Sequence, residues 1–82
     1  MTAARVEHEA DLRRPGRTGY RITGSTASQV QDSIDTLERT VDPSCGGAFG
    51  IANFIGPISV ETDAGWQWCA LGEVIVEQVE FA

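Results

Sequence analysis

Two cysteines and one histidine are the residues of this chain best suited to covalent or metal chemistry. Cys45 is followed by Gly46-Gly47, a pairing that leaves backbone amides able to approach a thiolate or an oxyanion. A nucleophilic cysteine also wants a base, and no motif brings His8 to it. A plain loop between a helix and a strand asks less of the same residues. Cys69 falls in a strand pattern, where a thiol behaves as a small hydrophobe. His8 stands between Glu7 and Glu9, which suggests a metal cluster on paper. Successive strand residues point to opposite faces, however, so the three cannot converge on one ion. Two cysteines and one histidine also fall short of the four ligands of a closed zinc site. Neither a metal nor a cofactor is expected.

The glycine-rich run Gly46-Gly47-Ala48-Phe49-Gly50 lacks the Lys-Ser/Thr of a phosphate-binding loop and opens a strand instead of a helix. A dinucleotide site fails on the same ground. Paired carboxylates for glycoside hydrolysis need a cleft between them, and a chain with one helix has little room to build it. What is left is recognition chemistry. Trp66-Gln67-Trp68 places two indoles on one strand face, as core under a helix or as aromatic anchors of an interface. Asp32, Asp35 and Glu38 fall on a helix; Glu61, Asp63, Glu73, Glu77 and Glu80 fall on the C-terminal strands. These acids are either ordinary solvated surface or a negative face that docks on a basic groove of another protein.

Charge narrows the choice. The 82 residues carry twelve acids against six bases, a net −6, and every base is an arginine. All six arginines precede residue 40, where six acids balance them, and six acids stand alone beyond it. A pI near 4.5 argues against direct nucleic-acid binding, because displacing counterions from phosphates needs clustered cations. No apolar run approaches the ~18–20 residues of a membrane span. The N-terminus is charged where a signal peptide is apolar, so the expected compartment is the cytoplasm, where disulfides are rare.

Hydrophobic residues make up 41% of the chain, too many for the disordered class. The expectation is a single domain over residues 1–82, with a core thin enough that net stability is only ~3–5 kcal/mol. A partner subunit is the most accessible added support, and a homodimer the simplest form of it.

The elements that must position these residues follow from periodicity. Arg5 to Leu12 alternates, with Val6, His8, Ala10 and Leu12 on one face, as a half-exposed strand does. Arg13-Arg14-Pro15-Gly16-Arg17 has turn chemistry, and Thr18 to Thr23 reads as the returning strand. Thr26 with Gln29 fits a capping box. Val30, Ile34, Leu37 and Val41 then fall within about 60° on a helical wheel, and Asp42-Pro43 stops the helix. Asp35 and Arg39 are spaced to pair across one turn. Ala48 to Ile55 reads as a strand interrupted by Gly56-Pro57 and resumed over Ile58 to Glu61. Thr62 to Gly65 is a hairpin turn. Trp66 to Leu71 and Glu73 to Phe81 read as one long extended stretch, broken or bulged at Gly72. The sum, β-β-α-β-β-β, is an α+β fold: an antiparallel sheet of four to five strands with one helix on one face.

One helix covers only part of such a sheet. Some of Phe49, Phe54, Trp66, Trp68, Ile75, Val79 and Phe81 should therefore lie on an uncovered face. Three readings of function follow. The first is a small acidic, non-enzymatic interaction protein that occludes a basic, nucleic-acid-binding surface of its target. Phage-encoded inhibitors such as anti-CRISPR proteins work in this way, an analogy of size and charge. The target sites would be Asp32, Asp35, Glu38, Glu61, Asp63, Trp66, Trp68, Glu73, Glu77 and Glu80. The second is a homo-oligomeric assembly subunit. The third is a small-ligand binder or minimal enzyme using Tyr20, Arg21 or Cys45 at a subunit interface. An arginine-tipped turn at residues 13–17 either stands apart from an acidic edge running from Glu61 to Glu80 or meets that edge on another copy.

Overall fold

The computed structural model describes residues 4–76. β1 (Arg5–Ala10) and β2 (Arg17–Gly24) form the first hairpin, α1 (Ala27–Arg39) follows, and a 3₁₀ turn (Pro43–Cys45) leads to β3 (Gly50–Thr62) and β4 (Gly65–Val76). The sheet order is β1-β2-β4-β3, with every neighbouring pair antiparallel. The fold is α+β, and the described residues form four strands with one α-helix on the sheet.

The helix begins where its capping chemistry places it. Thr26 is extended and its hydroxyl oxygen accepts the Gln29 amide at 3.2 Å, while the Gln29 side chain accepts the Ser25 amide at 3.1 Å. Its apolar stripe delivers Val30 and Ile34 into a core completed by Ile22 and Ala70, with Leu37, Phe54 and Trp68 packed around them. Regular helix ends at Arg39, four residues before Pro43. Val41 is nonetheless buried, because turn bonds from Val41 to Glu38 and from Asp42 to Arg39 prolong the coil far enough to turn it inward.

A helix is about 10 Å across and strands lie about 4.8 Å apart. One helix thus shelters two or three strands. Here α1 packs on β2, β4 and β3, and β1 is exposed along its whole length. The half-burial expected of Val6, His8, Ala10 and Leu12 is corrected accordingly: the alternation is real, but no layer reaches over it. Leu12 has already left the strand for the hairpin turn.

The fifth strand is absorbed. Residues 50–62 form one strand whose register against β4 slips between Ile55 and Ile58. Ile55 faces Leu71 and Ile58 faces Cys69, so three steps on β3 match two on β4. The extra residue of this bulge offsets the odd spacing, and both isoleucines emerge on the same side of the sheet. Gly56 takes φ +123° there, and a Cβ on it would sit 2.7 Å from the Cys69 carbonyl oxygen. β4 passes through Gly72 unbroken. The irregularity expected at Gly72 lies on the neighbouring strand instead. The β4 stretch beyond Val76, with Glu77, Val79, Glu80 and Phe81, lies outside the described residues.

Candidate functional site

Because alternate strand residues face opposite ways, the buried Ile22, Ala70 and Val74 define the helix side, and their neighbours in sequence define the other. The register then assembles a helix-free face from Ile51 opposite Ile75, Ile55 opposite Leu71, Ile58 opposite Cys69, and Val60 opposite Gln67. Among the described residues nothing covers it. Ile51, Ile55, Ile58 and Leu71 are 57, 75, 52 and 53% exposed. Ile55, Ile58, Val60, Cys69 and Leu71 line a concavity of about 410 Å³ that Arg21 and Thr23 border.

The charged half of this face is on β1 and β2. Strand alternation and register put Arg5, Glu7, Glu9, Arg17 and Arg21 there with Glu73 of β4. Three arginines meet three glutamates. Arg17 Nη1 lies 3.6 Å from Glu73 Oε2, and Arg5 Nε lies 3.6 Å from Glu7 Oε1. Among the described residues this face is therefore electrically balanced, in a chain whose net charge is −6. None of the four exposed aliphatics was a sequence candidate. Their signal was the alternate spacing of Ile51 and Ile55, hidden by the phase change at the bulge.

The sequence candidates are dispersed. Asp32, Asp35 and Glu38 stand exposed on α1. Asp35 accepts a 2.9 Å hydrogen bond from Gln31 Nε2; among the described residues the ion pairs do not include the one expected with Arg39. Glu61 and Asp63 lie exposed at the β3–β4 hairpin end, whereas Glu73 sits mid-sheet, half-buried beside Arg17. The acidic edge expected from Glu61 to Glu80 does not form over the described residues, because β4 is an interior strand between β2 and β3. Arg13 and Arg14 are exposed in the β1–β2 turn.

The tryptophans divide. Both share the helix side by alternation, but only Trp68 packs on the core; Trp66, two residues nearer the hairpin end, is 68% exposed. Phe54 also lies on the helix side, so of the aromatics expected on the uncovered face the described strands contribute none. Ile75 does lie there, and Phe49 is exposed ahead of β3. His8, Tyr20 and Phe54 form a row across the helix side, with ring centroids 5.9 and 6.2 Å apart. Tyr20 and Arg21 consequently point to opposite faces.

Cys45 closes the 3₁₀ turn. Its thiol is 3.7 Å from Asp42 Oδ2, and the Ser44 hydroxyl and amide donate to Asp42 Oδ1 at 2.6 and 2.9 Å. The Ser44 hydroxyl bond first, and its amide bond second, hold the Asp42 carboxyl below the ordinary aspartate range. The Gly46 amide donates to the Pro43 carbonyl and the Gly47 amide to the Asp42 carbonyl. The two donors that a thiolate or oxyanion site would use are already engaged in shaping the loop. Both cysteines are free thiols, Cys45 exposed and Cys69 half-buried. Among the described residues no three His, Cys, Asp or Glu side chains come together as a metal site, and no helix is long and apolar enough to cross a membrane.

No family model, curated protein or solved structure matches the chain.

Proposed function

We propose that this chain is a small, acidic, non-enzymatic protein-interaction module. The observation that carries the reading is the uncovered band of Ile51, Ile55, Ile58 and Leu71, four aliphatic side chains each more than half exposed on one sheet face. Ile55, Ile58 and Leu71 adjoin one another, with Ile51 beyond the Asn53–Glu73 row, and exposed apolar surface of this kind is a mark of interaction sites in folded proteins. The engaged amides of Gly46 and Gly47 favour the same reading over thiol catalysis.

The opposite side of the molecule fits a basic protein. Asp32, Asp35 and Glu38 are exposed along α1, and most of the uncompensated charge belongs away from the balanced sheet face. An acidic helix that satisfies arginines and lysines of a target would occlude a surface on which nucleic acid otherwise binds. This is the mechanism of an inhibitor, as phage-encoded anti-CRISPR proteins exemplify in size and charge. The test is a pull-down from the native host, followed by a salt titration of the identified complex. Affinity should fall steeply with salt and in the Asp32→Asn, Asp35→Asn, Glu38→Gln variant. An affinity unchanged between low and high salt rejects the basic partner.

A further inference from the structure

We infer that the occupant of the helix-free face is a second copy of this chain, stacked sheet on sheet with the helices outermost. The inference rests on the interaction-module reading and names the partner of that face.

Charge selects the partner. A basic target is drawn to net negative surface, and among the described residues this face carries none: Arg5, Arg17 and Arg21 match Glu7, Glu9 and Glu73. A face with equal numbers of both signs can approach its own copy without net repulsion, which a two-fold interface requires because each patch meets itself. The order of the charges fits as well. Along β1 they run Arg5, Glu7, Glu9. If the two-fold lies across the strands at the Leu71 row, β1 lies over its copy in the reverse sense and Arg5 meets Glu9 of the partner subunit. The same axis sets Leu71 and Ile55 against their own copies, and with them Arg21 and Glu7 of the same row, which lie on adjacent strands and so pair crosswise, each with the other's copy.

Shape agrees. Aligned sheets pack about 10 Å apart with interdigitating aliphatic side chains, and the β3–β4 ladder supplies these for most of its length. Stacking would bury Cys69, which lies one strand in from the β3 edge. Pairing β3 edge to edge would leave it accessible.

The experiment combines sedimentation over a wide concentration range with alkylation of Cys69 in a Cys45→Ser background, which removes the exposed thiol. The expected result is a monomer–dimer equilibrium in which Cys69 becomes protected as dimer forms. Ile55→Lys should weaken association by more than about tenfold, since each dimer loses two buried isoleucines. Ile55 is 75% exposed in the single chain, and circular dichroism checks that the variant folds. Should that variant fail to fold, Cys69 protection decides alone. A strict monomer at every concentration overturns the inference, as does a dimer whose Cys69 stays reactive. A monomer that still binds a basic protein in a salt-sensitive way overturns this inference and leaves the proposed function standing.

Discussion

Phe54 lies over Gly72, its partner across the β3–β4 ladder, and a Cβ on that glycine would collide with the Phe54 ring and the Asn53 carbonyl. The missing side chain lets one aromatic ring bridge two strands and reach Tyr20 on the next, 6.2 Å between centroids. A ring laid over a cross-strand glycine shelters backbone that would otherwise be bare. Gly72 is therefore a packing position and not a strand break.

Gly72→Ala should consequently destabilise the fold by about 1–3 kcal/mol, the range for overpacking, read from the urea midpoint. Gly19→Ala is the matched control. Its added methyl would meet only the Glu9 carbonyl oxygen, at an ordinary 3.9 Å, and should shift the midpoint little. Equal effects at the two positions would refute the role given to the Phe54 ring.

Asp42 gives the loop after α1 a dependence on acid. Its folded carboxyl titrates below the ordinary range because Ser44 donates to the charged form. A depressed folded value means that the stabilisation is complete above the unfolded aspartate value of about 3.9. It is lost as pH falls through the folded value. Thermal melts from neutral pH down to strong acid should show this loss, and Asp42→Asn should flatten it. An unchanged acid slope in Asp42→Asn would contradict the assignment.

The two tryptophans should report different surroundings. Trp68→Phe leaves only Trp66, exposed near the β3–β4 turn, and its emission should be red-shifted and readily quenched by acrylamide. Trp66→Phe leaves the core-packed Trp68, with bluer and more protected emission. Stacking through the helix-free face should leave the Trp66 signal unaltered, since that indole is on the helix side. Matching quenching curves for the two variants would remove the distinction.

Local chemistry was legible from residue order. Thr26 and Gln29 mark the start of α1, the 30/34/37/41 stripe marks its buried face, and Pro15-Gly16 marks the first turn. Pairing order was less so. β4 lies between β2 and β3, a long-range arrangement that alternation within a strand does not encode, and this dissolved the supposed acidic edge. The exposed face was hidden for a related reason. Counting by twos through Gly56-Pro57 assigns Ile58 and Val60 to the wrong side, because one residue of the bulge has no partner. The Cys45 loop misled in the other direction: its glycines suggested vacant amides, but Pro43 and Asp42 carbonyls take them.

The bulge also determines which edits to the gene the fold can absorb. An added or deleted codon in the β1–β2 turn lengthens or shortens a solvent-facing loop, a change that loops accommodate readily. One codon lost at Gly56 or Pro57 removes the one residue that has no partner. Ile58 and Val60 would then follow Ile55 by two and four steps, so the ladder would run regular and both would stay on the side they now occupy. One codon lost between Ile51 and Ile55, where the register is regular, has no spare residue to absorb it and would exchange the two faces on one side of the cut. The strand thus carries a single spare beat, and only at residues 56 and 57 can it be shortened without rewriting a surface.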